Sequence, residues 1–261
     1  MRGLDRCAAL AVTSVLGDLT AYAARRCMAA GFAEVRVLTD LELDVPTTGI
    51  APLGGIGDYN RFLNERLVEH VRTPHVLIFQ WDGFVLDPSA WTDAFLDYDY
   101  IGAPWAESSA PPGRRVGNGG FSLRSRRLLD ALRDPALDFD RTRPEDKVIC
   151  RELRPVLEEK HGVRFAPVEL AERFAFEHGA PPGPVFGFHG EFNLPLAMPE
   201  ADLWWAMERL PERLWTDGKV WRWVVKLRKG GRRALADTLH RHCLEAFPER
   251  TGDWPRPVGA P

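Results

Sequence analysis

Residues 75–83 read HVLIFQWDG, and this stretch decides the fold. His75–Phe79 is almost entirely apolar, which is typical of a strand buried on both faces of a parallel sheet. Gln80, Trp81, Asp82 and Gly83 follow it without a break. Open α/β sheets bind their ligands at the carboxyl ends of their strands. The stretch therefore predicts both a central strand and a ligand site at its end.

Strands and helices alternate on the amino-terminal side of this stretch. Apolar runs predict strands at Ala8–Val12 and Glu34–Leu38, and the segment between them has the apolar spacing of a helix that ends at Gly31. A second helix is expected after the Pro/Gly-rich loop 46–57. Its apolar stripe consists of Tyr59, Phe62, Leu63, Leu67 and Val71. This alternation predicts an α/β fold with a mainly parallel, Rossmann-like central sheet covered by helices.

On the carboxyl-terminal side of residues 75–83, the regular alternation of strands and helices ends and the predicted elements are shorter. Helices are predicted near Ala90–Leu96 and over Arg126–Leu132 and Val148–Leu157, and a strand is predicted at Phe165–Val168. The composition changes after residue 195. The expected organisation is therefore an α/β domain over residues 1–195 and a helical extension over residues 196–261.

Composition and charge exclude several classes of protein. Of the 261 residues 45% are hydrophobic, enough for a buried core, and 34 Lys and Arg against 37 Asp and Glu leave a net charge of −3. Such a chain lacks the basic field that non-specific nucleic-acid binding uses, so no nucleic-acid partner is expected. The four cysteines follow no zinc or disulfide spacing, which favours a reducing, cytoplasmic location. The sequence contains no run of 18 apolar residues, so no membrane-spanning helix is predicted.

Three acidic residues and one histidine are candidates for chemistry. Asp82 can hold a divalent cation against a diphosphate, although an Asp in this place also commonly forms a turn. Glu145 and Asp146 follow Pro144 at a helix start, where acids also stabilise the helix dipole; one of the two is interpreted as a general base for an acceptor hydroxyl. His189, flanked by glycines in an aromatic segment, is either a metal ligand or a buried, hydrogen-bonded histidine.

A glycine run is the candidate substrate-binding segment. Asn118, Gly119 and Gly120 form either an ordinary turn or a floor on which a sugar ring lies, and Trp105 and Phe121 can supply flat apolar faces for stacking. A P-loop, a dinucleotide-binding glycine motif and a GxSxG motif are all absent from the sequence. The sequence therefore does not favour an ATPase, a dinucleotide-dependent enzyme or a serine hydrolase.

Taken in order, these segments resemble a GT-A-type glycosyltransferase, and more narrowly a glycosyltransferase-like family known mainly as a domain of unknown function. The resemblance covers roughly residues 8–195 and implies a GT-A-like glycosyltransferase domain over residues 1–195. It is carried by FQWDGF at 79–84, YDYIGAPW at 98–105 and GNGGFSLRS at 117–125, together with Glu145, Asp146 and His189.

The resemblance implies roles for the candidate residues. Asp82 stands at the metal-binding Asp-x-Asp element, in which Gln80 replaces the first acid, and His189 matches the histidine that completes the metal shell. A divalent cation, Mn²⁺ or Mg²⁺, is therefore implied, held weakly because one carboxylate is missing. Asp146 matches the general base of inverting enzymes, with Glu145 beside it.

The resemblance also implies where the substrates bind. Donor-binding residues are Thr13, Ser14, Arg61, Gln80, Trp81 and Asp82. Acceptor-binding residues are Trp105, Asn118, Gly119, Gly120 and Phe121. The implied reaction transfers a sugar from a nucleotide-sugar to a hydroxyl of a carbohydrate or lipid-linked acceptor, with inversion. Two alternatives stay open: a non-catalytic nucleotide-sugar or carbohydrate-binding module, and a metal-dependent hydrolase or nucleotidyltransferase acting on activated sugars.

The carboxyl-terminal segment, residues 196–261, has a different composition. Between Lys219 and Arg250 nine Lys and Arg face three Asp and Glu, and tryptophans stand at 204, 205, 215, 221 and 223. Such a segment either packs its tryptophans on a core or lies in the headgroup region of an anionic membrane; a protein or polyanion partner is a third reading. We therefore expect a cytoplasmic protein, with peripheral contact to the inner face of a membrane as one interpretation of this segment.

Overall fold

The chain folds into two compact units. The structure, a computed structural model, describes residues 3–110, 113–178, 181, 183–211, 214 and 219–246. The units are Met1–Gly190 and Glu191–Pro261, whereas the sequence placed the division after residue 195.

The first unit is built on a six-stranded sheet. Its strands are β1 (Cys7–Val12), β2 (Glu34–Thr39), β3 (Thr47–Gly49), β4 (His75–Ile78), β5 (Tyr100–Gly102) and β6 (Ser122–Ser125). Their order in space is β3-β2-β1-β4-β6-β5. Pairs β1–β2, β2–β3 and β1–β4 are parallel, and β6 runs antiparallel to β4 and β5. The predicted α/β class with a mainly parallel central sheet is confirmed.

Helices and a short second ribbon complete this unit. The helices are α1 (Gly17–Met28), α2 (Ile56–Glu65), α3 (Arg126–Ala131), α4 (Glu145–Lys147), α5 (Arg154–His161) and α6 (Val168–Phe174). The ribbon pairs β7 (Ala175–Phe176) with β8 (Gly187–Phe188) in parallel.

Burial on both faces explains why β1 and β4 are apolar. All six residues of β1 are buried, and only His75 of β4 is partly exposed. Phe62 and Leu63 of α2 pack with Leu10 and Ile78 in one core cluster. This packing holds the carboxyl end of β4 rigidly, because each buried apolar side chain contributes about 1.5–3 kcal/mol.

Three predictions between residues 46 and 97 were wrong in detail. The loop 46–57 contains β3, a three-residue edge strand that is too short to show an alternating sequence pattern. The predicted helix near Ala90–Leu96 is instead two 3₁₀ turns, Pro88–Ala90 and Asp93–Asp97. The predicted apolar stripe of the second helix also extends past the end of α2, since Leu67–His70 is a 3₁₀ turn and Val71 is extended.

The predicted helix Val148–Leu157 is interrupted. α4 continues into a π turn, Val148–Glu152, before α5 begins. Pro155 has no N–H to donate to the carbonyl of Arg151, so an uninterrupted helix would leave that carbonyl unpaired; Arg114 Nη1 donates to it instead, at 3.0 Å. The predicted strand Phe165–Val168 was also wrong, because Phe165 makes only an isolated β-bridge with Tyr100.

The described part of the second unit is helical, as predicted for the extension. Its helices are α7 (Leu194–Ala197), α8 (Glu200–Met207), α9 (Lys219–Lys229) and α10 (Arg233–Ala246). Trp223 on α9 is fully buried, as are Leu239 and Cys243 on α10, so this tryptophan belongs to a core. Trp215 and Arg250 lie outside the described residues. Within the ranges given above, no helix combines the length and the apolar character needed to cross a membrane.

Candidate functional site

A tight turn at the end of β4 carries Asp82. Gln80 and Gly83 exchange both backbone hydrogen bonds across this turn, with N···O distances of 3.2 and 3.1 Å. The turn places Asp82 Oδ1 3.6 Å from His189 Nε2. A Cβ on Gly83 would lie 2.9 Å from the carbonyl oxygen of Phe188, so only glycine lets the two segments approach.

His189 lies directly after β8 and is surrounded by acceptors. Its Nδ1 is 3.4 Å from Glu177 Oε1, and its Nε2 is 3.2 Å from Gln80 Oε1. Burial favours the neutral ring, but Asp82 and Glu177 outweigh it and raise the pKa of His189 to about 9. The same contact overcomes burial at Glu177 and lowers the pKa of that carboxyl. His189 is therefore a cation at neutral pH, held between two carboxylates.

Gln80 connects this cluster to α2. Its Nε2 donates to Tyr59 Oη at 2.6 Å, while its Oε1 faces His189. A Cβ on Gly120 would lie 2.0 Å from His189 Nε2 and 2.7 Å from Gln80 Oε1. Gly120 therefore lies directly against the histidine cluster.

The neighbouring glycine lies against a different pair of charges. Arg124 on β6 is fully buried, and its Nη2 is 2.7 Å from Glu145 Oε1. Arg124 Nε also donates to Ser122 Oγ at 3.0 Å. A Cβ on Gly119 would lie 1.9 Å from Glu145 Oε1. Glu145 is thus committed to a buried ion pair that fixes α4 against the glycine run.

Asp146 is the second acid of α4, and its surroundings differ. Its side chain is partly buried, and its Oδ1 accepts a hydrogen bond from the backbone N–H of Lys147 at 2.7 Å. It makes no ion pair with any cation in the described part of the chain. Burial, assisted by the negative charge of Glu145, raises the pKa of Asp146. Both effects make Asp146 a better proton acceptor than an ordinary surface aspartate.

These elements surround one cavity of about 490 Å³. Eight of the residues singled out from the sequence line it: Gln80, Trp105, Asn118, Gly119, Gly120, Glu145, Asp146 and His189. Asp82 is not part of the lining but contacts His189, which is. The structure thus brings together residues that are more than a hundred positions apart in the chain.

Four other predicted residues do not line this cavity. Ser14 Oγ accepts a hydrogen bond from the backbone of Leu53, and Thr13 Oγ1 accepts one from Val15. Arg61 is exposed beside Asp58, and Trp81 is partly buried in the turn after β4. Their roles in donor binding stay predictions.

The two aromatic residues predicted to stack on a sugar are engaged within the protein. Phe121 is fully buried, 5.3 Å from the ring of Phe174 between centroids. Trp105 is 7% exposed, and the guanidinium of Arg151 lies 4.0 Å from its ring centre. A sugar would have to displace these contacts to stack on either ring. Their assignment to acceptor binding stays a prediction.

Several lining residues were missed from the sequence, chiefly Tyr59, Lys147, Arg151 and Glu177. Tyr59 was counted only as part of an apolar stripe, and Lys147 and Arg151 were not singled out. Glu177 follows the two-residue strand β7, which is too short to show a pattern. The one usable signal was the pair of aromatic, apolar segments that became β7 and β8.

The donor atoms near His189 fit a divalent cation. Adjacent ligands of an octahedral Mg²⁺ or Mn²⁺ ion lie about 3 Å apart. Gln80 Oε1 and Asp82 Oδ1 lie 3.2 and 3.6 Å from His189 Nε2, close to that spacing. Glu177 would orient the ring through Nδ1, as second-shell carboxylates do. In the described ranges no group of three or more His, Cys, Asp or Glu is arranged to hold a metal.

Fold and site together define an α/β protein with an acid- and histidine-lined cavity at the carboxyl edge of its sheet. The chain belongs to the family described as "Protein of unknown function (DUF5672)", whose profile matches residues 45–189. This match covers the turn after β4, the glycine run, α4 and His189. No curated protein matched the chain.

Solved structures with similar folds include two glycosyltransferases. One is involved in glycosylation of the major capsid of PBCV-1; it is 12% identical, with a TM-score of 0.47, and the match covers 78% of this chain and 99% of that one. The other is the mannosyltransferase PcManGT from Pyrobaculum calidifontis, solved with GDP-Man and Mn²⁺. It is 12% identical, with a TM-score of 0.45, and the match covers 94% of this chain and 75% of that one. At 12% sequence identity these matches concern the fold and not the activity of this protein.

Proposed function

We propose that this protein is a glycosyltransferase that uses a nucleotide-sugar donor, with Asp146 as general base. One observation carries the proposal: a carboxylate with a raised pKa and a His–Asp–Gln cluster of metal-donor atoms adjoin the same cavity. Sugar transfer needs both parts, because a proton leaves the acceptor hydroxyl while negative charge grows on the departing diphosphate.

Asp146, rather than Glu145, is the base in this proposal. Glu145 is held by Arg124 in a buried ion pair, which stabilises its carboxylate and occupies one of its oxygens. Asp146 has no such partner among the described residues, and its raised pKa brings it nearer to that of a useful base. General base catalysis of this kind typically accelerates a reaction by about 10²–10⁴-fold.

The donor end is assigned to Asp82, Gln80 and His189. These residues would hold a divalent cation, with Glu177 orienting the imidazole. When bound, the cation supplies positive charge to the leaving diphosphate. Without it, His189 carries a proton in the same place, because its pKa is raised to about 9.

The reaction proposed is a direct displacement. The acceptor oxygen forms a bond to the anomeric carbon, the bond from that carbon to the diphosphate oxygen breaks, and the hydroxyl proton passes to Asp146. A single displacement inverts the anomeric configuration, and no second nucleophile is needed.

Donor binding and transfer are tested separately. A thermal-shift screen of nucleotide-sugars with and without Mn²⁺ identifies the donor. Transfer is then compared in the wild type, Asp146→Asn and the control Asp138→Asn, an exposed acid of the preceding loop. We expect Asp146→Asn to lose about 10²–10⁴-fold in transfer rate while keeping donor affinity, and Asp138→Asn to behave as wild type.

Three outcomes would contradict the proposal. Wild-type transfer by Asp146→Asn would remove the assigned base. Donor binding without turnover across a broad acceptor panel would indicate a binding module. Free sugar as the main product in the presence of acceptors would indicate a hydrolase.

A further inference from the structure

Two basic side chains line the cavity on the side of Asp146. Lys147 ends α4, Arg151 lies four residues later in the π turn, and both line the cavity. Neither makes an ion pair with a carboxylate in the described ranges of the chain. Two of the nearby acids pair with other cations, Glu152 with Arg143 and Glu158 with Arg154, while Asp146 makes no ion pair with Lys147 beside it. The cavity is therefore lined by two cations that have no ion-pair partner among the described residues, and the charge of Lys147 also acts on Asp146.

Arg151 is held in place before any ligand binds. Its guanidinium lies 4.0 Å from the ring centre of Trp105, a cation–π contact. The indole of Trp105 lies directly against the backbone of Gly117, where a Cβ would be only 2.1 Å from the ring. This contact leaves the indole no room to move towards Gly117. The carbonyl of Arg151 is fixed by Arg114 at 3.0 Å. A guanidinium fixed in this way presents its planar fork to one orientation of a phosphate or carboxylate.

The two adjacent glycines of the cavity contact different groups. Gly119 lies against Glu145, next to Asp146, whereas Gly120 lies against His189 and Gln80. Gly119 thus contacts α4, the helix that carries Asp146 and Lys147, and Gly120 contacts the metal-donor atoms. An anion bound by Lys147 and Arg151 would belong to the molecule whose hydroxyl meets Asp146.

From this geometry we infer that the acceptor is anionic, carrying a phosphate or carboxylate that binds Lys147 and Arg151. The inference rests on the proposed function and specifies its acceptor class. The bound anion places a hydroxyl of the same molecule next to Asp146, which takes its proton as the oxygen attacks the anomeric carbon and the nucleoside diphosphate leaves.

Anion binding is measured first, without turnover. Inorganic phosphate and acetate, as probes for the two kinds of anion, are titrated while the Nε–Hε signal of Arg151 is followed by NMR at low ionic strength. We expect saturable binding of at least one probe, weakened about tenfold by Lys147→Gln, as loss of a charge-assisted hydrogen bond predicts. Lys160→Gln, which changes an exposed cation on α5, should bind as wild type. No saturable shift with either probe, or equal weakening by Lys160→Gln, would overturn the inference.

The donor is measured second, to decide which substrate uses the pair. GDP and UDP, each with Mn²⁺, should bind Lys147→Gln and Arg151→Gln within about twofold of wild type. A tenfold loss in both variants would assign the pair to the donor diphosphate and refute an anionic acceptor. Arg151→Lys keeps the charge but loses the fork, so it should show an intermediate loss of anion affinity.

Transfer to matched acceptors separates this inference from the proposed function. Glucose, glucose 6-phosphate and glucuronate form one panel, with kcat/KM measured for each. A preference for glucose that Lys147→Gln leaves unchanged would refute the anionic acceptor while keeping the transferase. If no nucleotide-sugar binds or turns over, the proposed function fails, whereas the phosphate and acetate titrations still report whether the basic pair binds anions.

Discussion

His189 is expected to keep its proton well above neutral pH. Its pKa is raised from the ordinary 6.5 to about 9, by Asp82 at 3.6 Å and Glu177 at 3.4 Å acting against burial. Each pKa unit corresponds to about 1.4 kcal/mol, so the folded protein favours the charged ring by about 3 kcal/mol, net of the opposing effect of burial. In the unfolded chain this histidine would titrate near 6.5.

Substitution of either carboxylate tests this cause. Removing an opposite charge this close typically changes a pKa by about one unit or more. Asp82→Asn and Glu177→Gln should therefore each lower the pKa of His189 towards 6.5. The matched control is Asp134→Asn, which removes a carboxylate 3.3 Å from His161 and should leave His189 unchanged.

Imidazole NMR supplies the measurement. Histidine signals are followed from pH 5 to 10 in the presence of a chelator, and His189→Gln assigns the resonance. A midpoint for His189 at or below 6.5 would refute the reasoning, as would a midpoint near 9 that neither carboxylate substitution moves.

The same shift makes stability depend on pH in a defined direction. Because the folded pKa lies above the unfolded value, the contribution of His189 is fully present below about pH 6.5 and is lost as pH rises through about 9. Urea denaturation at pH 6.5 and 9.5 should therefore show a fall of up to about 3 kcal/mol in wild type that is missing in His189→Gln.

Three further predictions follow from the same contacts. Mn²⁺ affinity, measured by calorimetry, should rise about tenfold per pH unit from pH 7 towards 9, because the cation displaces the proton of His189; a flat profile would contradict this. Arg124→Met should lower the unfolding free energy by about 3–5 kcal/mol in urea denaturation, since it leaves Glu145 buried without its partner, and the double replacement with Glu145→Met should cost less. Gly120→Ala should weaken Mn²⁺ binding because its Cβ would lie 2.0 Å from His189 Nε2, whereas Gly49→Ala, with open space around it, should bind as wild type.

Much of the fold followed from local patterns. The strands β1, β2 and β4 are long apolar runs, and burial on both faces is the reason for that composition. Elements without such a period were missed or misjudged. β3 is a three-residue edge strand, and the π turn depends on Pro155 and on a distant hydrogen bond from Arg114.

Only some residues of the candidate site could be assigned a role from the sequence. Asp82 and the glycine run stand beside recognisable strands or motifs, so their chemistry could be proposed from position alone. The different environments of Glu145 and Asp146 could not, because Arg124 selects Glu145 from a strand 21 positions earlier. Lys147 and Arg151 were missed for the same reason, because the absence of an ion pair among the described residues is recognised only when neighbours in space are known.

The sequence by itself determined the α/β class, the strand that ends at Gln80 and Asp82, and the residue types available for chemistry. These depend on periodicity and on neighbours along the chain. Only the tertiary structure decided which acid is paired, that Glu177 and Asp82 enclose His189, and that Lys147 and Arg151 face the same cavity. Charges act through space over a few ångströms, so the protonation state of each group depends on contacts between distant parts of the chain.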